Sequence, residues 1–376
     1  MKLTVIGAGF GALTAVRRLR RLRPQAEITL VAPEPTFQYY PSLIWVPAGL
    51  RRREDILFDI RPLLERLDVH FHAGRVTGVS DDGRRVFTDN GEVDNDGLVV
   101  ASGGRFLKKL PGIEHAITLC EGIDAAEQIR DRLAEMDGGT IAIGFGGNPK
   151  EPAAVRGGPM FELLFGLDRL LRKQGRRDRF KLVFFNPSPR PGNRLGESAV
   201  DRLLDRMRKF DIETHIGAKP KQFEANRVVT EKGEFEADLI LFMPGMTGPA
   251  WLENAAFPSS PGGMIEADEH ARVKGVERVY VAGDSGSYPA PDWAPKQAHM
   301  ADLQAAAAAE NLVAEIDGQS ADRTFKWELV CVMDMLDRAT LVFRNDKRQL
   351  VTPPCRLLHW AKRFFEWWYL RDLRRR

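Results

Sequence analysis

Short apolar runs alternate with amphipathic stretches from residue 1 to about residue 310. Lys2–Ile6, Glu27–Ala32 and Gly97–Ala101 ("GLVVA") are apolar runs bounded by turn residues, as expected of strands buried on both faces of a parallel sheet. Between the first two, Ala12–Leu22 repeats its apolar residues at helical spacing and turns a basic face outward. A second unit starts at "GTIAIGF", runs through a predicted helix Met160–Lys173 and a strand Phe180–Phe185, and closes on the strand Asp238–Met243. Arg278–Ala282 reads as a further strand and Lys296–Ile316 as a long Ala-rich helix. Strand and helix in alternation predict an α/β fold with parallel sheets. No internal repeat and no long low-complexity linker is visible. The last sixty or so residues abandon the pattern and read as a separate C-terminal segment.

With 376 residues, 43% of them hydrophobic, the chain can build two core-bearing domains and a tail. Lys and Arg exceed Asp and Glu by three, 55 against 52, which leaves no global field for nucleic acid. The basic excess is local: Arg356–Arg376 holds seven Lys/Arg and two acids. Three cysteines do not make a secreted disulfide scaffold, so each is weighed as a thiol. No metal is expected. Met1-Lys2 leads straight into "LTVIGAGFG", so no signal peptide is expected, and no run of roughly 18 apolar residues offers a membrane span.

Two loops carry the chemistry. Gly7, Gly9 and Ala12 fit G-x-G-x-x-G/A between a strand and a helix, with Phe10 and Gly11 inside the turn. Glycines there let the backbone approach a pyrophosphate, which settles on the positive helix N-terminus. The acid that should close the second strand is displaced: Ala32 and Pro33 stand there, and Glu34 comes two residues late as the expected ribose contact. Ser102 and Gly103 follow the third strand. Val279–Asp284 ("VYVAGD") resembles the segment of two-dinucleotide flavoproteins whose Asp binds the ribityl chain of FAD, which implies FAD contacts at Gly283 and Asp284.

The second loop, "IAIGFGGNPKEP", keeps Gly144 and Gly146 but puts Pro149 at the third small position. Pro152, Gly157, Gly158 and Pro159 then hold the chain out of a helix for about ten residues. Asn186 ends the next strand where a ribose-binding acid belongs. The loop therefore reads as a relic that does not bind a nicotinamide. The predicted fold class is α/β, with two Rossmann-like dinucleotide-binding domains, one for FAD and one degenerate NAD-type. A C-terminal membrane-interfacial helical segment follows. The expected division is 1–110 with 258–318, 111–257, and 319–376.

No C-x-x-C or C-x₄-C pair exists, which excludes a dithiol reductase of the glutathione-reductase kind. "FQYYPSLIWVPAG" (37–49), "LFMPGMTGP" (241–249), "APKQAHMADLQAAAAAENL" (294–312), "VCVMDMLDRA" (330–339) and the aromatic, basic tail together resemble the sulfide:quinone oxidoreductases. Flavocytochrome c sulfide dehydrogenases and type 2 NADH dehydrogenases are related to that family. The resemblance covers nearly the whole chain. It implies oxidation of sulfide to zero-valent sulfur or polysulfide, with two electrons passed through FAD to a membrane quinone such as ubiquinone or menaquinone. It places the redox cysteine at Cys331 and adds Pro41 and Ser42 to the cofactor wall. Cys120 matches a cysteine that in several members attaches covalently to the flavin; a mobile sulfur-relay thiol is the other reading, and the link is favoured. Many members carry one more cysteine after the degenerate loop, bridging through sulfur to the equivalent of Cys331. "GNPKEPAAVRGGPMFE" has none, which places the chain near the subgroup with few cysteines, sometimes called type VI.

Lys296 is expected to stabilise the reduced flavin and Glu162 to handle protons, with a capping or solvated carboxylate as the equal alternative for Glu162. His299 reads as packing, and Cys355 as inert. In the tail, Leu357, Leu358, Ala361, Phe364, Phe365 and Trp368 recur at helical spacing opposite His359, Lys362, Arg363 and Glu366. That composition predicts an interfacial helix on an anionic membrane surface, each Lys/Arg adding on the order of 1 kcal/mol. The alternative is a helix packed on its own core or in a dimer interface. The expected setting is the cytoplasmic membrane of a prokaryote, peripheral, with the face and any homo-oligomer left open and no nucleic acid involved. Competing readings are an NADH:quinone oxidoreductase, a sulfide dehydrogenase flavoprotein feeding a cytochrome, and a redox-sensing flavoprotein of the apoptosis-inducing-factor type.

Overall fold

A computed structural model describes residues 1–375. Strand β1 (Lys2–Ile6) leads through a glycine turn into helix α1 (Phe10–Leu22), then β2 (Glu27–Ala32), β3 (Val69–Ala73) and β4 (Gly97–Val100). The second unit contains β5 (Ala116–Ile117), β6 (Gly139–Phe145), α2 (Gly158–Lys173), β7 (Phe180–Asn186), β8 (Ile212–Ile216) and β9 (Leu239–Met243). The chain then returns to the first sheet with β10 (Val279–Val281) and the long helix α3 (Ala298–Ile316). It ends with β11 (Leu329–Asp334), β12 (Ala339–Arg344), β13 (Gln349–Val351) and α4 (Arg356–Leu370).

Both large sheets are parallel. The first has the order β10-β4-β1-β2-β3 and the second β5-β9-β6-β7-β8. Four strands match in order, β4-β1-β2-β3 with β9-β6-β7-β8, and a three-stranded antiparallel ribbon precedes β4 at 76–94 and β9 at 220–236. The edge strands differ, β10 being the last strand of its sheet along the chain and β5 the first. The repetition lies in backbone topology, as two Rossmann-like domains require, and the side chains do not record it.

The physical reasons are local. Leu3–Ile6 and all of β4 and β9 are buried, as strands covered on both faces must be. Helix α1 buries Leu13, Val16 and Leu19 and leaves its arginines outside. Beside it lies α3, whose Ala305, Ala308 and Ala309 are fully buried, so the two helices approach closely. A Cβ on Gly11 would already meet Ala282 Cβ at 3.4 Å and Ala301 O at 3.5 Å. Predicted boundaries shift by one or two residues: α1 starts at Phe10, α2 at Gly158 and α3 at Ala298. Residues 146–157 are non-helical, as the prolines and glycines require.

The tail sheet β11-β12-β13 is antiparallel, and α4 packs against it. Helix α4 turns its polar side inward. His359 and Glu366 are buried, while Leu357, Trp360, Phe364, Phe365, Trp367 and Trp368 are 44–75% exposed. Inside the protein, Arg51 Nε donates to Glu366 Oε1 at 2.9 Å, His359 Nδ1 lies 2.7 Å from Asp334 Oδ2, and Trp45 Nε1 donates to Asp334 Oδ1 at 2.9 Å. The apolar face is therefore not packed on the chain's own core. No helix among the described residues is long and apolar enough to cross a membrane.

Candidate functional site

One cavity of about 1730 Å³ runs between the two sheets and reaches the tail. Its first wall is the intact loop: Gly9, Phe10, Gly11, Glu34, Pro41, Ser102, Gly103, Gly283 and Asp284 all line it. Gly7, Ala12 and Ser42 do not line the cavity. Gly7 has φ +113°, and a Cβ there would lie 2.2 Å from Ala101 O, so its job is the backbone crossing under the turn. Ala12 is fully buried under α1, and Ser42 is buried with an unpartnered hydroxyl.

This wall suits a dinucleotide. A Cβ on Gly9 or Gly103 would meet nothing within 4 Å, so both glycines open onto the cavity. Gly9 caps α1 without a side-chain hydrogen bond, and no acid occupies the first turn. The first N–H groups of the helix are thus free for an anion, with the helix dipole behind them. The residues present fit FAD. Gly9–Gly11 would hold its pyrophosphate, and Asp284 would take the ribityl hydroxyls.

The second loop is fastened elsewhere. Asn148 Nδ2 donates to Met246 O at 2.9 Å and to Gly262 O at 3.0 Å. Buried Glu151 accepts from Ser260 Oγ at 2.6 Å and from Ser287 Oγ at 3.1 Å. Asn186, at the ribose position, donates instead to Phe145 O at 2.8 Å. When α2 finally starts, its first residue, Gly158, faces sulfur: a Cβ there would lie 3.8 Å from Cys331 Sγ.

Cys120, Cys331, Glu162 and Lys296 all line the same cavity. Cys331 sits on the buried side of β11, and burial together with the nearby Glu162 carboxylate pushes its thiol up to about 12. Cys120 is buried too; burial raises its pKa, and the Arg156 guanidinium beside it opposes the rise. Burial likewise lifts Glu162 above the usual carboxylate range, even though Lys362 of α4 is its ion-pair partner. Lys362 Nζ also donates to Val332 O at 2.9 Å. Glu162 is therefore neither a cap nor solvated. Lys296 Nζ donates to Gly286 O at 2.7 Å, and burial lowers its pKa. His299 is not packed as expected: its side chain is 41% exposed at the cavity rim, with Nε2 3.1 Å from Glu328 Oε2. Cys355 is exposed, outside the cavity.

Three lining residues escaped sequence reasoning. Lys362 was read as part of a membrane-facing helix, although its spacing with His359 and Glu366 marks one polar stripe. Arg156 is the lone charge in "PAAVRGGP", and Tyr40 precedes the Pro41 already chosen; both reach the cavity beside Cys120 and Asp284.

Two parallel sheets with four strands in the same order, joined by a dinucleotide wall, define a two-dinucleotide flavoprotein architecture. Residues 1–305 match the family described as pyridine nucleotide-disulphide oxidoreductase. The chain belongs to that family and is a flavin-dependent oxidoreductase. It is 25% identical to the sulfide-quinone reductase of Aquifex aeolicus over 395 aligned positions, covering 99% of this chain and 91% of that protein. It is 28% identical to the type II NADH:quinone oxidoreductase of Staphylococcus aureus over 371 positions, covering 91% and 90%. The crystal structure of the Aquifex aeolicus sulfide:quinone oxidoreductase superposes with a TM-score of 0.88 at 23% identity, over 99% of this chain and 91% of that one. At that identity the superposition speaks for the fold alone.

Proposed function

We propose that the protein oxidises sulfide to zero-valent sulfur or polysulfide and passes the two electrons to a membrane quinone. The observation that carries this reading is a thiol in the right room. Cys331 opens onto the cavity that also holds the intact glycine loop, and it does so where α2 starts instead of a nicotinamide loop. Bound FAD would supply the two-electron exchange. Sulfide gives up two electrons on becoming zero-valent sulfur, and quinone takes two electrons and two protons on becoming quinol.

The chain's own groups divide that work. Gly9–Gly11 and Asp284 hold and orient the cofactor. Lys296 and the N-terminus of α3 place positive charge beside it. Cys331 presents its sulfur, and Cys120 lines the opposite approach, either as the attachment point of the flavin or as a relay thiol. Glu162, its pKa raised by burial, accepts at Oε2 from the Lys362 ammonium and is placed to take up and return protons. Lys362 belongs to α4, whose exposed aromatic face suits the headgroup level of an anionic bilayer. Quinone would then enter from the lipid beside Phe365 and Lys362, both of which line the cavity.

Cys331→Ser tests the reading. Sulfide-dependent quinone reduction should fall at least about 100-fold while flavin content stays unchanged; undiminished turnover would remove Cys331 from the mechanism. A second reading, NADH:quinone oxidoreduction, draws on the Staphylococcus aureus relative and on the cavity's extension past Asn186, Ser188 and Arg190.

A further inference from the structure

The segment after the second loop lacks the cysteine expected there, and Arg156 is the charge it carries into the cavity. Asn148 and Glu151 pin the loop upstream, and downstream Gly158 rests against Cys331. The side chain of Arg156 lies one-fifth exposed in the cavity wall, ion-paired with Asp284 through one guanidinium nitrogen. Its charge is felt by the Cys120 thiol and the Tyr40 hydroxyl. The stretch Arg156–Gly158 therefore spans from one cavity thiol to the other.

The neighbouring cations are committed. Lys296 donates to Gly286 O, and Lys362 is held by Glu162 and Val332 O. Arg194 donates to Ala153 O at 2.9 Å and Ala294 O at 3.0 Å. Arg156 spends one nitrogen on Asp284 and keeps further donors of its five for a ligand. A guanidinium stays charged at every working pH and is weakly hydrated, so it suits an anion taken out of water. The start of α2 adds its dipole on the same side.

We propose that Arg156 is a substrate-binding residue that holds hydrosulfide, the monoanion of hydrogen sulfide, between Cys120 and Cys331. The site selects the ionised form of the substrate by charge, and a fixed cation takes the place of the missing third sulfur. This rests on the sulfide reading above, and the test separates the two.

Arg156→Gln and Arg156→Lys are prepared as holoproteins with flavin content verified. Flavin reduction by sulfide is followed anaerobically by stopped flow between pH 6 and pH 9. In Arg156→Gln the apparent Kd for sulfide should rise about tenfold or more, the loss of a charge-assisted contact, with the limiting rate little changed. Arg156→Lys should recover most of the affinity. In the unmutated protein, affinity for total sulfide should improve with pH as the hydrosulfide fraction grows; in Arg156→Gln it should not. Independently of turnover, peptide mass mapping should show the cavity thiols alkylated faster by anionic iodoacetate than by neutral iodoacetamide, a preference that disappears in Arg156→Gln. Unchanged Kd and unchanged alkylation preference would overturn the assignment and leave the sulfide reading standing. A shifted flavin spectrum with unchanged Kd would also overturn it, by assigning Arg156 to the cofactor. Failure of sulfide to bleach the unmutated protein would remove both.

Discussion

The two five-stranded sheets share the order of four strands but part ways at the loop after the central strand. In the first, Gly7–Gly11 passes straight into α1, and the helix N-terminus is left bare toward the cavity. In the second, twelve residues separate β6 from α2, and Asn148, Glu151 and Asn186 turn their hydrogen bonds inward. A parallel sheet keeps its shape because its strands are buried on both faces, whereas a phosphate loop depends on a few backbone N–H groups staying free. The scaffold therefore outlives the site. The second loop serves as a wall of the cavity: its helix opens on Cys331.

The sharpest way to break this contrast is to fill each loop. Gly9→Val would push a side chain into the open cavity, and the flavin-to-protein absorbance ratio should fall to near zero while the fold is retained. Gly147→Ala, in the second loop, meets only Val155 at 3.7 Å and should leave flavin content unchanged. Equal loss in both would mean the second loop still carries cofactor.

A smaller effect concerns where the cavity meets its acceptor. Trp360→Ser, Phe364→Ser and Trp367→Ser combined remove side chains that touch no core, so thermal stability should hold. Flotation with anionic liposomes should show binding weakened roughly 1,000-fold or more, since each of the three large apolar groups is worth about 1.5–3 kcal/mol when buried. Unaltered flotation would return α4 to a protein–protein role.

The smallest effect compares two buried acids. In the second unit, Asp168 is paired by Arg172 at 2.9 Å and Arg177 at 2.7 Å. In the first, Asp302 of α3 accepts from Thr14 Oγ1 at 2.5 Å, and burial raises its pKa from 3.8 to about 6 against the opposing pull of Thr14, His299, Arg17 and Tyr369. The folded state thus holds this proton more tightly than the unfolded chain. The stability it confers is full below pH 3.8 and lost as pH rises through about 6. Asp302→Asn should therefore stabilise the protein by about 1–2 kcal/mol at pH 8 and by nothing near pH 3.5, as read from denaturant midpoints.

The intact half was legible because each requirement falls within a few neighbouring residues. Gly7, Gly9 and Ala12 announce the turn, and Asp284 follows its strand directly. The non-helical course of the second loop could also be read, since Pro149 and Pro152 keep it out of a helix; Pro159 instead sits in the first turn of α2, where proline is tolerated. The partners that cross between elements were not legible. Lys362 and Glu162 lie 200 residues apart, and a tail stripe of His359, Lys362 and Glu366 looks solvent-bound until Asp334 and Arg51 are seen waiting for it. Ser42 and Ala12 belong to the same motifs but do not line the cavity, because a motif records neighbourhood along the chain and not depth. The doubled architecture was legible from the two strand–glycine-loop starts, although backbone order repeats while side chains diverge.

The central claim is that electrons enter as sulfur chemistry at Cys331 and not as hydride at the second loop. Its most direct test is anaerobic addition of sulfide, NADH and NADPH, separately, to the holoprotein while the flavin absorbance is watched. Bleaching by sulfide within a turnover time, with no response to either nicotinamide, is the predicted result. Rapid bleaching by NADH or NADPH, with sulfide inert, would contradict it.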